Sequence, residues 1–237
     1  MSHHQHVPVI TIDGPSGTGK GTICHQVAHH LGWHYLDSGA IYRVLAWVAE
    51  TNQVDSNNES ALTTLASELR LSFGIDEKMK SRAYIDSQDI SEFIRTETCG
   101  QNASKIAVMP GVRQALLEKQ RAFAVLPGLV TDGRDMGTVV FPNADLKIFL
   151  YASVEERARR RFLQLQSHQN SDTIAQVIDQ LAERDARDQS RLHAPLISAV
   201  NAVQIDTTHL SIEQVFAKVV DLAVEKGLAS SRSKGGR

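Results

Sequence analysis

Cysteine is nearly missing from this chain: Cys24 and Cys99 are the two copies among 237 residues. They stand in no metal-ligand spacing, so free thiols in a reducing compartment are expected, and a disulfide joining them is not. No apolar run approaches the roughly 20 residues that a membrane span needs. The opening MSHHQH likewise has no apolar stretch of the secretory-signal kind. A cytoplasmic chain is expected. Neither sign of charge dominates, since 25 Lys and Arg against 27 Asp and Glu leave a net −2, which argues against a general affinity for nucleic acid or anionic membrane. Internal repeats are absent. Ten histidines invite a metal reading, and His25 and His29 lie one helical turn apart. No Glu stands between them and no third ligand is identifiable, so a solvated helix face is the expectation. His3, His4 and His6 fall in a terminus expected to fray.

What is present begins at Val7–Thr22, VPVITIDGPSGTGKGT. The β-branched run Val9–Ile12 reads as an interior parallel strand, and it leads into Gly14, Gly17, Gly19 and Gly21, whose missing Cβ atoms let a backbone approach phosphate oxygens. Lys20 adds positive charge where a helix begins near Gly19, so the amides of residues 17–22 converge at its positive end. This is a phosphate cradle suited to a nucleoside triphosphate. The pattern G-x-x-x-x-G-K-[ST] ends here in Gly21, with the hydroxyl displaced to Thr22. A G-K-G-T ending resembles the nucleoside monophosphate kinases more than the GTPases, and it leaves open whether Thr22 touches magnesium or a phosphate oxygen. The base-reading N-K-x-D string of a GTP-dependent switch is absent.

Further along, helical periodicity is expected at 22–31, 40–51, 60–70 and 104–124, with Gly32 and Pro127-Gly128 as breaks. Strands are expected at 33–36, 129–132, 146–152 and 203–206. LRLSFG and SRAYIDSQDIS alternate like strands around the turn DEKMK, implying a small inserted sheet. Strands alternating with helices specify an α/β fold, a parallel sheet flanked by helices. Ligands bind such sheets at the carboxyl ends of the strands, where the glycine loop, Asp37-Ser38-Gly39 and Asp132-Gly133-Arg134-Asp135 all fall. The tail from Ser230 has nothing apolar to pack and is expected to be disordered.

Phosphoryl transfer asks mainly for positioning and positive charge. Arg157 and Arg161 are one turn apart, and Arg184, Asp188 and Arg191 share a helix face. Alone, such spacing equally suits a solvated helix with internal ion pairs. Read together with GPSGTGKGT, DSGAIYR (37–43) and DGRDMGTVVFP (132–142), it resembles bacterial cytidylate kinase from Val7 to about Lys226, in order and spacing. The resemblance implies one P-loop kinase domain over 7–228, similar to adenylate kinase in its core, with a mixed monophosphate-binding insert at about 66–110, a helical lid at about 157–192 and a tail at 229–237. It implies transfer of the γ-phosphoryl of ATP to CMP or dCMP with Mg²⁺; a monomer is expected. Gly14, Pro15, Ser16, Gly17, Thr18, Gly19, Lys20, Gly21 and Thr22 would hold ATP, joined on lid closure by Arg157 and Arg161. Ser38, Arg43, Arg134 and Arg191 would hold the acceptor phosphate, Arg184 and Asp188 the ribose, and Ser104, Arg113 and Asp135 the cytosine edge. Lys20, Arg134, Arg191 and Asp132 would serve the transfer itself, Asp132 by organising magnesium's water shell or else merely capping its turn. No direct metal ligand is assigned.

Overall fold

The computed structural model of the chain describes residues 6–75, 81–166 and 173–230. The DEKMK turn, His3, His4 and the last seven residues lie outside them. A central sheet takes strands β1 (Val9–Asp13), β2 (His34–Asp37), β6 (Leu129–Gly133), β7 (Leu146–Tyr151) and β8 (Val203–Asp206) in the order β2-β6-β1-β7-β8. Every pairing in it is parallel. β1 sits in the middle, buried along its whole length, because VITID offers apolar side chains to both faces. Ile10 and Ile12 pack with Ile23, Val27, Val130, Ile148 and Val219 on one side; Val9 joins Leu36, Leu45, Ile106 and Leu129 on the other. Each such fully buried side chain contributes about 1.5–3 kcal/mol.

Helix α1 (Lys20–Leu31) starts directly on the lysine, and Gly32 ends it at φ 66, as a C-terminal glycine should. α2 (Ser38–Thr51) opens two residues before the expected point because the Asp37 side chain accepts from the Ala40 amide at 3.0 Å. α3 (Glu59–Glu68) leads into the inserted sheet, β3 (Leu71–Ile75), β4 (Ser81–Ile85) and β5 (Gln88–Asp89), which is antiparallel. The stretch SRAYIDSQDIS is a hairpin and not one strand: Asp86 and Ser87 take φ of 45 and 72, the left-handed pair that a two-residue turn requires. Similarly, the helical stretch expected at 104–124 is two helices, α4 (Glu97–Ile106) and α5 (Pro110–Arg121). Pro110, which cannot donate within a helix, instead occupies a first-turn position. A three-residue 3-10 turn at Phe93–Arg95 precedes α4.

After β6 the chain makes a five-residue π-helical turn, Met136–Val140. α6 (Val154–Gln166) and α7 (Ile174–Gln189) then form a hairpin held by its own small cluster of Ala158, Val177 and Leu181, and α8 (Ile212–Glu225) covers the sheet beside α1. None of the helices is long and apolar enough to cross a membrane, among the described residues.

Candidate active site

The carboxyl ends of β1, β2 and β6 open into a cleft of about 220 Å³, floored by Ser16, Gly17 and Lys20 and walled by α2, α4, α5 and α7. A second, more open cleft of about 600 Å³ lies on the other side of the glycine loop and is lined by Gly19, Gly21, Thr22, Arg159, Arg160 and Ile212. Lys20 and Asp132 border both. Two neighbouring spaces sharing a lysine suit a pair of phosphorylated substrates meeting end to end.

The loop is shaped by packing as much as by phosphate. A Cβ on Gly14 would lie 2.1 Å from the Leu150 carbonyl oxygen, and one on Gly17 would lie 2.9 Å from Arg157 Cβ. These glycines let β7 and α6 press against the loop. Lys20 is buried, and its Nζ donates to the Pro15 carbonyl at 3.0 Å, as does Thr18 Oγ1 at 3.1 Å. Burial and the nearby Arg134 push the lysine down to about 7, while burial and Asp37 push Asp132 up to about 7. Asp132 accepts from the Tyr35 hydroxyl at 2.8 Å. Charge on either group is costly here until a phosphate or a cation arrives.

On the opposite wall, Arg134 Nε donates to Asp188 Oδ2 at 2.6 Å and its Nη2 to Ser16 Oγ at 3.2 Å. Arg191 pairs with the other Asp188 oxygen. Burial would raise that carboxyl, yet Arg134 and Arg191 hold it below its ordinary value. Arg184 has no partner for its buried Nε, and burial with Arg134 and Arg43 pushes it down to about 9. A buried guanidinium left short of a hydrogen bond calls for an anion or acceptor. Arg43 is tied by Nη1 to the Ile94 and Thr96 carbonyls at 2.8 and 3.2 Å. Farther in, Arg113 pairs with Asp135, lies 5.8 Å above the Tyr42 ring and donates to the Ala107 carbonyl at 3.1 Å.

The structure therefore brings Ser16, Gly17, Lys20, Ser38, Arg43, Ser104, Arg113, Asp132, Arg134, Asp135, Arg161, Arg184, Asp188 and Arg191 onto one cleft. Gly14, Pro15, Thr18 and Arg157 line neither space. Arg157, expected to reach ATP on lid closure, is buried at 3% exposure and tied to Asp185 at 2.7 Å, the Ser16 carbonyl at 3.1 Å and the Ala152 carbonyl at 3.2 Å. It braces the loop from behind, and Arg160, not singled out by spacing, borders the second cleft. Arg187 was missed as well. Its Nη1 donates to Ser104 Oγ at 3.0 Å, and Arg161 pairs with Glu97, so both lid helices are bonded across the cleft to α4.

A family profile described as cytidylate kinase matches residues 10–225, strand β1 through α8. The chain belongs to the cytidylate kinase family. Among its relatives, the cytidylate kinase of Stutzerimonas stutzeri (strain A1501) is 51% identical over 224 residues, covering 94% of this chain and 98% of that one. That of Edwardsiella ictaluri (strain 93-146) is 55% identical over 214 residues, or 90% and 95% of the two chains. That of Colwellia psychrerythraea (strain 34H / ATCC BAA-681) is 51% identical over 216 residues, 91% and 96%. Both the inserted sheet and the α6–α7 hairpin lie inside the matched span.

Proposed function

We propose that this chain transfers the γ-phosphoryl group of ATP to CMP or dCMP, giving ADP and CDP or dCDP. The observation that carries the reading is the Arg113–Asp135 pair, which lines the same cleft as the glycine loop and Lys20. ATP occupies the loop side, its phosphates reaching Lys20, Arg161 and Arg160. The acceptor phosphate lies among Ser38, Arg43, Arg134 and Arg191. Arg184, with its orphaned Nε, and Asp188 take the ribose. At the base, Asp135 accepts from the exocyclic amine of cytosine, while Arg113 and Ser104 donate to its carbonyl and ring nitrogen. Uracil would set a carbonyl against the carboxylate instead.

The acceptor oxygen is already anionic, so no general base is needed. The protein's work is alignment and neutralisation of the charge that spreads over the moving group. Thr22 and Asp132 both line the loop-side cleft, and two oxygens there fit Mg²⁺, which keeps several waters and takes its other ligands from phosphates. Bound there, the ion would draw charge from the β- and γ-phosphates. The insert around 66–110 and the lid around 157–192 act as arms that exclude water once both nucleotides are present. The monomer is the active unit, and the cytoplasm its place.

The test is the ratio of kcat/KM for CMP to that for UMP in the native protein and in Asp135→Asn. The amide can turn either atom to the base, so the ratio should shrink by tenfold or more, a loss of ~1–3 kcal/mol of discrimination, chiefly through poorer use of CMP. An unchanged ratio would remove Asp135 from base recognition.

A further inference from the structure

Asp13 is a buried carboxylate that the transfer mechanism leaves unused. It closes β1 immediately before Gly14 and is 3% exposed. Both its oxygens are occupied by backbone: Oδ1 accepts from the Met136 amide at 2.9 Å and Oδ2 from the Gly137 amide at 2.8 Å. Those are the first two residues of the π-helical turn, directly after Asp135.

Holding the Met136 amide fixes the peptide plane that follows Asp135. The other side of the same plane is fixed too, since the Asp135 carbonyl accepts from the Val139 and Val140 amides at 2.9 and 3.2 Å. Asp135 thereby sits at φ −145 and ψ 22, outside the regular helix and strand regions. Gly137 permits the close approach: a Cβ there would lie 2.9 Å from Thr11 Oγ1 and 3.3 Å from Asp13 Oδ2. A carboxylate accepting two consecutive amides is a geometrically demanding grip, and a neutral amide cannot reproduce it, because one of its two atoms is itself a donor.

We infer that Asp13 is a positioning residue for substrate choice: from the end of the strand that carries the glycine loop, it clamps the turn that aims Asp135 at the acceptor's base. This deepens the proposed reading of Asp135 as the group that recognises cytosine, and rests on it. The role differs from a purely structural one, because it predicts a change in which nucleotide is used and not merely in how stable the protein is. Displacement of a recognition group by about 1 Å can cost up to 10²-fold.

The experiment compares kcat/KM for CMP and UMP, KM for ATP and the melting temperature in the native protein, Asp13→Asn, Gly137→Ala and Asp135→Asn. Asp13→Asn should lower the CMP-to-UMP ratio at least threefold while KM for ATP moves less than twofold. Gly137→Ala, which drives a methyl group against the same carboxylate, should lower the ratio as well and serves where the asparagine variant does not fold. A lowered melting temperature with the native ratio in either folded variant overturns the assignment, as does a raised KM for ATP with the ratio intact. Should Asp135→Asn itself keep the native ratio, the reading of Asp135 fails first. A ratio lost in Asp135→Asn and kept in Asp13→Asn sinks the role of Asp13 alone.

Discussion

At the scale of single residues, Lys20 is the point on which donor binding turns. Burial and Arg134 push it down to about 7, so above that pH the neutral amine gains over the ammonium form. ATP phosphates favour the ammonium form, so binding must bring in a proton. Calorimetry of ATP binding at pH 8 without divalent cation, in buffers of different ionisation enthalpy, should register net proton uptake that Lys20→Met diminishes. Asp132, held near 7 by burial and Asp37, shifts in the same direction beside added negative charge and cannot cancel the uptake. Proton release would contradict the assignment. Lys20→Ala should cost 10²-fold or more in turnover, about 3 kcal/mol of transition-state stabilisation, with its circular dichroism unchanged; near-normal turnover would show that the loop is not the donor site. Most of the cleft's residues were legible in the sequence because DGPSGTGKGT, DSGAIYR and DGRD each end a strand at one edge of the sheet. The arginine cluster was less legible. Spacing at i and i+4 shows that Arg157 and Arg161 are neighbours but not which of them faces solvent, and the buried partner Asp185, 28 positions away from Arg157, leaves no local trace.

At the scale of elements, the proposed lid motion falls to the α6–α7 hairpin. Its own cluster, Ala158, Val177 and Leu181 with Phe162 and Ile178 against it, is small and separate from the two large cores. Leu181→Ala, which opens a gap of the kind that costs about 2–5 kcal/mol in a core, should therefore loosen the hairpin locally. The expected result is faster amide exchange in 173–189 and a fall in kcat/KM, with little change in the global melting temperature; a fall in the global midpoint matching the local loss would show that the hairpin and the sheet unfold as one. Helices and sheet strands were readable here from periodicity and glycine stops. The break at 107–109 is attributable to Pro110, and the Asp86-Ser87 hairpin to two left-handed residues that carry no glycine to announce them. The π-helical turn after Asp135 had no sequence signal of its own, since its backbone is held from a distance by Asp13.

At the scale of the whole molecule, two arms meet over one cleft, joined by Arg161 to Glu97 and by Arg187 to Ser104. Those bonds link α6 to α4 and α7 to α4, so the arms should become ordered together and not one by one. Amide exchange measured with ATP alone, CMP alone and both should show the largest added protection, in 97–106 and 173–189 together, only for the pair; unchanged exchange with both nucleotides would contradict closure. Such coupling should also protect ATP from water until an acceptor is bound. ADP release from ATP and Mg²⁺ should be followed with no acceptor, then with CMP, dCMP, UMP, AMP and GMP in turn. Release should be slow alone and rapid with CMP and dCMP, with at least tenfold lower kcat/KM for UMP; ADP release indifferent to CMP would contradict cytidylate-directed transfer.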